Sequence, residues 1–194
     1  MSSPPKLIYL ISGLEIGGAE IGMVRLLDGL PEDEFDVTVV ALNGGERTVV
    51  PDIPDHVDIV DLQIDNKLHV HKLLPLVPIL RETDILLGSI YHAEIVARLF
   101  DLVIPVDTLL TWAHNTEFKT PMRRWVDRLT IGRCDAVLAD SEAVETMLVE
   151  RQGVDPEKIW TVPIAGLSMD EYDRPSVPLQ SIDHAVVGGE PLGY

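Results

Sequence analysis

One loop near the N-terminus constrains this chain more than any other stretch: residues 12–20 read SGLEIGGAE and contain the pair Gly17-Gly18. The apolar run before the loop, residues 7–11, predicts a buried strand. Apolar side chains recur at spacings of three and four after the loop, which predicts a helix. Glycines at such a junction bring backbone N–H groups close to a ligand, and the helix N-terminus favours an anion such as phosphate. A tight turn is the alternative role of the pair, and the sequence leaves both open.

Common motifs for cofactors and metals are absent from the sequence. The glycines at positions 13, 17 and 18 do not give the Gly-x-Gly-x-x-Gly spacing of dinucleotide-binding loops, and no Gly-Lys-Ser/Thr follows them as in a P-loop. No Asp-x-Asp pair is present to hold a metal bound to a diphosphate. His69 and His71 are two residues apart, which suits metal ligands on a strand but not on the helix predicted there. We therefore expect no cofactor and no metal site.

Strands alternate with helical patterns along the chain. The predicted strands are residues 7–11, 35–42, 57–62, 85–88, 106–112, 135–139 and 158–162. Residues 68–80 have helical spacing but contain Pro75 and Pro78, which predicts a kinked or broken helix. Since the strands are apolar throughout, the pattern indicates an α/β fold with a parallel sheet covered by helices on both faces. Ligands of such sheets bind beyond the carboxyl ends of the strands.

The charge balance of the chain is strongly acidic. Its 194 residues include 32 Asp and Glu against 15 Lys and Arg, a formal charge of −17. This excludes the usual nucleic-acid binder, which needs excess cations to neutralise phosphates, so we expect no nucleic-acid partner. An acidic surface with few lysines also suggests a salt-rich, halophilic cytosol that screens self-repulsion. The single Cys134, the lack of a signal peptide and the lack of a long apolar span predict a cytoplasmic protein.

Two polar residues follow the fifth predicted strand. His114 and Asn115 come directly after it and should reach the same sheet edge as the Gly17-Gly18 loop. The imidazole and the amide are both able to donate hydrogen bonds to a phosphate or a sugar hydroxyl. The alternative is that these polar groups are satisfied by solvent.

A local group of arginines lies on the next predicted helix. Met122, Trp125, Val126 and Leu129 are expected to form its apolar, core-facing stripe. Arg124 and Arg128, four residues apart, should share one face opposite that stripe. They could contact phosphates or an anionic membrane surface, or simply pair with neighbouring carboxylates on a solvated face.

Four segments together resemble a known family. They are the Gly17-Gly18-Ala19-Glu20 loop between strand and helix, the strand end His114-Asn115, residues 134–143 (CDAVLADSEA) and residues 153–163 (GVDPEKIWTVP). In this order they look like the N-terminal half of a family 4 glycosyltransferase, a retaining GT-B enzyme that uses a nucleotide sugar. The resemblance covers roughly residues 6–175.

That resemblance implies a fold of two Rossmann-like domains facing each other across a cleft, of which this chain supplies the first. Gly17 and Gly18 would approach the donor phosphates or the transferred sugar, and His114, with Asn115 beside it, would contact the sugar. The family's donor-binding half is missing, so no catalytic residue is predicted in this chain.

The resemblance also sets the expected domains and function. Residues 1–165 should form the acceptor-side domain, and residues 166–194 a poorly ordered linker with the truncated start of a second domain. The chain would belong to an enzyme that moves a sugar from a nucleotide donor to a lipid, glycan or small-molecule acceptor, and would be inactive alone, being either truncated or half of a split enzyme. The alternatives are a non-catalytic module that binds a sugar, a phosphate or a partner, and an inactive remnant.

Overall fold

One sheet organises the part of the chain that the computed structural model describes, residues 3–66 and 69–163. Its strands are β1 (Lys6–Ile11), β2 (Asp36–Ala41), β3 (Asp58–Asp61), β4 (Ile85–Ser89), β5 (Thr108–Ala113), β6 (Ala136–Ala139) and β7 (Ile159–Thr161). They lie in the order β3-β2-β1-β4-β5-β6-β7, and every pair of neighbours is parallel. The sheet confirms the predicted parallel α/β architecture, with each strand where the apolar pattern places it.

Helices connect the strands. They are α1 (Gly18–Gly29), α2 (Leu76–Leu80), α3 (Tyr91–Asp101), α4 (Pro121–Thr130) and α5 (Glu142–Met147), and α5 continues into a wider π-helical turn over Leu148–Gln152. The broken helix predicted around Pro75 is observed as a short 3-10 turn, Val70–Leu73, followed by α2. Proline lacks the N–H that a continuous helix would need at this point.

The two faces of the sheet bury separate hydrophobic clusters, as expected for a parallel sheet. On one face, Met23 and Leu27 of α1 pack against Tyr9 and Trp112. On the other, α2, α3 and α5 pack against the alternate side chains of the same strands, among them Leu10 and Leu86. Successive residues of a strand point to opposite faces of the sheet. The face that packs against α1 therefore holds Tyr9 and Trp112, together with the side chain two residues after each of them.

Helix α3 lies very close to β4, and Gly88 allows this approach. A Cβ at Gly88 would come within 2.9 Å of Glu94 Cα and 3.1 Å of both Ala93 O and Ala97 Cβ. Two of these three atoms belong to the α3 backbone, so they could yield only if the helix moved. Gly88 therefore fixes the distance between α3 and the sheet.

Helix α4 lies against α3, and its orientation differs from the sequence prediction. Thr120 caps its N-terminus by accepting a hydrogen bond from Arg123 N at 3.3 Å. The buried residue of α4 is Asp127, whereas the predicted core residues Trp125 and Leu129 are 63% and 61% exposed. The prediction that the apolar stripe of this helix faces the core is therefore wrong. The physical reason is a buried arginine on α3 that draws Asp127 inward.

The proposed boundary between residues 1–165 and 166–194 lies outside the described residues, as does the predicted start of a second domain.

Candidate functional site

Polar side chains meet at the carboxyl edge of the sheet. Ser89 ends β4, His114 follows β5 and Asp140 follows β6, and these three strands are neighbours. Ser89 is fully buried, and the side chain of His114 is 7% exposed. The parallel sheet therefore places three polar side chains that are distant in sequence at one edge.

His114 is held on both sides. Its Nε2 lies 2.8 Å from Ser89 Oγ, and its Nδ1 lies 3.6 Å from Asp140 Oδ2. The imidazole also packs on the indole of Trp112, with 5.2 Å between the ring centroids. Asp140 is fixed in turn by Ser141, whose hydroxyl donates to Asp140 Oδ1 at 2.9 Å.

Burial controls the charge of His114. Loss of hydration lowers the pKa of His114 to about 4, although the nearby Asp140 carboxylate opposes this shift. The ring is therefore neutral near pH 7. A neutral ring whose Nδ1 carries the proton accepts at Nε2 from the Ser89 hydroxyl and directs its own N–H towards Asp140. Such an imidazole is suited to hydrogen bonding rather than to ion pairing.

Several buried polar atoms near this edge have no hydrogen-bond partner among the described residues. They are Tyr9 OH, Ser12 Oγ, Trp112 Nε1 and His114 Nδ1. Tyr9 is fully buried beside Ser89, and this burial raises the pKa of its phenol above the usual range. A buried polar atom without a partner is costly, so a concentration of them at one edge indicates a place where a ligand or ordered water supplies the missing bonds.

The Gly17-Gly18 loop opens helix α1 on the same face of the sheet. Gly17 has an extended backbone, with φ −161° and ψ 175°, and neither glycine has the positive φ that would require glycine. The tight-turn interpretation is therefore not supported by the backbone. A Cβ at Gly18 would meet no atom within 4 Å, so the missing side chain leaves open space beside the first N–H groups of α1.

Glu20 lies beside the other glycine, Gly17. A Cβ at Gly17 would come within 2.5 Å of Glu20 Oε2. The Glu20 carboxylate also accepts a hydrogen bond from the backbone N–H of Glu20 itself. Burial, and to a lesser extent the charge of Glu15, raises the pKa of Glu20. A carboxylate at a helix N-terminus satisfies the same N–H groups that would bind a phosphate.

The structure thus brings together most of the predicted site residues. Gly17, Gly18 and His114 lie on the α1 side of the carboxyl edge, and Asn115 follows in an exposed position. Sequence reasoning missed Tyr9 and Ser89 as members of the site. Ser89 had the signal that identified His114, a polar residue at the end of an apolar strand, whereas Tyr9 lies inside an apolar run that indicates only a buried strand.

Arg124 and Arg128 belong to a different place. They line a cavity of about 530 Å³ formed by the segment before α4, the helix itself and Arg151. Arg123 instead turns towards α3, with its guanidinium carbon 5.0 Å from the centroid of the Tyr91 ring. Arg133 pairs with Asp101 at 2.7 Å. The arginines in and just after α4 are therefore divided: Arg123 and Arg133 make contacts within the fold, whereas Arg124 and Arg128 line an open cavity.

An ionic network that the sequence did not indicate joins α3 to α4. Arg98 is fully buried and donates from Nη1 to Asp127 Oδ1 at 2.5 Å and from Nη2 to Glu94 Oε2 at 3.2 Å. Thr111 accepts a further bond from Nη2 at 3.0 Å. Burial raises the pKa of Glu94 to about 8, with Arg98 opposing and Asp127 adding to this shift. The network lies inside the fold and stabilises the position of α4.

The described part of the chain contains neither a metal-binding cluster nor a membrane-spanning helix. It holds no group of three or more His, Cys, Asp or Glu side chains arranged to bind a metal ion. It also has no helix with the length and apolar character needed to cross a membrane.

Comparison of the sequence with known protein families identifies the family of this chain. The model of the family described as Glycosyltransferase Family 4 matches residues 16–165, most of the chain and all of the edge described above except β1 and Ser12. The chain belongs to glycosyltransferase family 4. No curated protein sequence matches it.

Solved glycosyltransferase structures share the fold of this chain. Anabaena Alr3699/HepE in complex with UDP-glucose superposes with a TM-score of 0.67 at 16% identity, over 81% of this chain and 43% of that chain. A glycosyltransferase from Rickettsia africae ESF-5 gives a TM-score of 0.55 at 15% identity, over 82% of this chain and 43% of the other. Arabidopsis thaliana UGT89C1 complexed with UDP gives 0.54 at 14% identity, over 93% and 54%. At these identities the likeness shows the Rossmann-like GT-B fold, and this family 4 chain spans about half the length of those proteins.

Proposed function

We propose that this chain forms the acceptor-side half of a retaining glycosyltransferase that uses a nucleotide-sugar donor. The carboxyl edge with Gly17, Gly18 and His114 would face the diphosphate and the sugar, and Asn115 would flank them. The acceptor would be a lipid, a glycan or a small molecule. The observation that carries the proposal is the convergence of an open helix N-terminus and unpartnered buried polar atoms at one edge of a family 4 domain.

The α1 N-terminus supplies the anion-binding part of this proposal. Gly18 and Ala19 are the first residues of α1, and the first N–H groups of a helix have no partner within the helix itself. A donor phosphate would bind there and displace the Glu20 carboxylate, which now lies beside Gly17 and accepts from its own backbone N–H. Because both groups are anionic, binding the phosphate should favour a protonated or outward-turned Glu20.

His114 supplies the sugar-binding part. Nε2 of its neutral ring is bonded to Ser89, whereas Nδ1 lies 3.6 Å from Asp140, has no hydrogen-bond partner among the described residues and is the atom left for a ligand. A neutral donor or acceptor suits a sugar hydroxyl, whereas a cation would pair more strongly with phosphate. We assign His114 to positioning of the sugar.

Turnover would require a second domain. The solved glycosyltransferases matched here are about twice as long as the aligned region, and transfer depends on holding donor and acceptor in register across a cleft. We therefore propose that the chain alone does not transfer sugar and that further polypeptide completes the donor site.

Ligand-observed saturation-transfer NMR with UDP and UDP-glucose tests the edge directly. We expect the purified chain to transfer saturation to the diphosphate-proximal ribose protons and to the glucose protons. Gly18→Val should remove this signal, because the new side chain fills the open space beside the α1 N-terminus. The matched control is Gly132→Val. Like Gly18, Gly132 is exposed, lacks a positive φ and has no atom within 4 Å of the position that a Cβ would take.

The results separate the alternatives. Equal signals from both valine variants would show that the ligand does not bind at α1, and absence of signal from the wild-type chain with either ligand would contradict the proposed edge. A radiolabelled UDP-glucose assay on the same samples tests completeness: sugar transfer or donor hydrolysis by the chain alone would overturn the need for a second domain. Binding without turnover, whatever polypeptide is added, would favour a non-catalytic binding module.

A further inference from the structure

Helix α4 presents an apolar stripe to solvent. Met122, Trp125 and Leu129 are 72%, 63% and 61% exposed, and their spacing of three and four places them on one face of the helix. The opposite face carries Asp127, which is held inward by Arg98. The ion pair therefore fixes the rotation of α4 with its large apolar residues outward. Exposed apolar groups clustered in this way mark interaction surfaces more often than scattered ones do.

Cations lie next to this stripe. Lys119, Arg124, Arg128 and Arg151 line the cavity of about 530 Å³ together with Phe118 and Trp125. None of the four has a carboxylate within 4.0 Å among the described residues, although Glu117 also lines the cavity. Arg124 donates to the backbone carbonyl of Arg151 at 3.3 Å, which holds two of the cations together.

This concentration of positive charge is unusual for the chain. The protein has a formal charge of −17, with more than twice as many acidic as basic residues. In such a chain, most surface cations would be expected to have an acidic neighbour. Four cations around one cavity, none with a carboxylate partner in the described part of the chain, indicate a surface whose partner is anionic.

We propose that this surface, which we call the α4 face (Phe118, Lys119, Met122, Arg124, Trp125, Arg128, Leu129 and Arg151), docks on the surface of an anionic phospholipid membrane. The arginines and Lys119 contact lipid phosphates, while Met122, Trp125 and Leu129 enter the boundary between head groups and acyl chains. Helices with adjoining basic and apolar sectors bind lipid surfaces in this way, and tryptophan is suited to that boundary.

Charge complementarity favours a lipid surface over the other occupants. A second copy of the chain docked through the same face would bring like-charged arginines together, which is unfavourable. Nucleic acid offers phosphates but no acyl-chain boundary for Met122, Trp125 and Leu129 to enter. A membrane surface satisfies both sectors of the α4 face at once. The inference does not depend on sugar transfer, so it can fail or hold independently of the proposed function.

Vesicle flotation tests the docking. The whole chain is mixed with vesicles of phosphatidylglycerol and phosphatidylcholine, or of phosphatidylcholine alone, in a buffer where circular dichroism shows the folded protein. We expect flotation with the anionic vesicles only, and weaker flotation as the salt concentration rises and the Debye length shortens. Equal partition to both vesicle types, or none to either, would overturn the proposal.

Paired variants locate the contact. Arg124→Gln with Arg128→Gln should weaken binding to anionic vesicles about 25-fold, because the loss of each charge near the lipid surface weakens binding roughly fivefold. The control removes two exposed arginines elsewhere, Arg25→Gln with Arg81→Gln, and should leave binding near the wild-type level. Equal losses in the two double variants would mean that overall charge, not the α4 face, determines binding.

A second pair tests the apolar stripe. Trp125→Ser with Leu129→Ser should abolish flotation, whereas Val70→Ser with Leu74→Ser replaces exposed apolar residues outside the α4 face and should not. All of these side chains are more than half exposed, so the variants should fold. Normal flotation of the Trp125 and Leu129 variant would contradict insertion.

Brominated lipids give a direct contact reading. Fluorescence quenching by bromolipid in anionic vesicles should be lost in Trp125→Phe and kept in Trp160→Phe, which removes the other exposed tryptophan.

If the α4 variants instead change the elution volume in size-exclusion chromatography while flotation is unaffected, the face joins two copies and the lipid proposal is wrong. Protection of Trp125 from a soluble quencher without vesicles would show that the chain itself covers the face, with the same consequence.

Discussion

Replacement of Glu94 by glutamine should make the protein more stable at neutral pH, even though it removes a carboxylate beside a buried arginine. Arg98 has one close partner, Asp127 at 2.5 Å, and a second, Glu94, at 3.2 Å. One positive charge cannot neutralise two carboxylates in a buried site, so the more weakly bonded one retains its proton. Burial is the main cause that raises the pKa of Glu94 from 4.5 to about 8, and the charge of Asp127 adds to the shift while Arg98 opposes it.

The sign of the pH dependence follows from that shift. Between about pH 4.5 and pH 8 the native chain holds a proton on Glu94 that the unfolded chain has released, so the free energy of unfolding falls as pH rises. The full difference is about 5 kcal/mol, of which roughly 3 kcal/mol has been lost by about pH 7. Glutamine is neutral at every pH and still accepts from Arg98. Glu94→Gln should therefore match the wild type near pH 5 and exceed it by about 3 kcal/mol near pH 7.

Asp127→Asn is the matched control, because it makes the same chemical change on the other carboxylate. It removes the partner that balances Arg98 and should lower the free energy of unfolding by about 3 kcal/mol. Urea unfolding at constant salt, followed by circular dichroism from about pH 5 to pH 9, measures both variants against the wild type. If Glu94→Gln loses as much stability as Asp127→Asn at neutral pH, Glu94 is ionised in the fold and the reasoning is refuted.

Three other predictions concern packing, ionisation and salt. Gly88→Ala should lower the free energy of unfolding by about 1–3 kcal/mol, because its Cβ would push α3 away from β4; an unchanged urea midpoint would contradict this. Nitrogen-15 NMR should show a neutral His114 ring down to about pH 4, and the contribution of His114 to stability should decrease as pH drops below about 6.5, because the unfolded chain takes up the proton first. Titration of His114 near the ordinary value would disprove its desolvation. Dialysis into low salt should unfold the chain, given its charge of −17; an unchanged circular dichroism spectrum would rule out salt dependence.

The local elements of this fold are readable in the sequence because each depends on neighbouring residues. The apolar runs predict all the strands of the observed sheet, and Pro75 predicts the interruption before α2. Strand ends were also informative: His114 is a candidate site residue because a polar group follows an apolar strand. The same rule applied to Ser89 would have found its partner.

Contacts between elements could not be read in the same way. The apolar stripe of α4 has the periodicity of a core-facing helix, and the sequence therefore predicts that Trp125 and Leu129 are buried. In the structure, the cost of leaving the buried Arg98 without a counter-charge turns Asp127 inward instead. A periodic pattern describes which residues share a face of a helix, but not which face the rest of the protein covers.

The sequence by itself determined the parallel α/β sheet, the edge proposed for ligand binding and the family to which the chain belongs, because strand propensity, helix periodicity and short motifs are local properties. The tertiary structure alone decided that burial keeps His114 neutral between Ser89 and Asp140, and that α4 displays its apolar and basic residues to solvent. Those outcomes depend on burial and on charges brought together from distant parts of the chain, and burial is a property of the packed fold rather than of any segment.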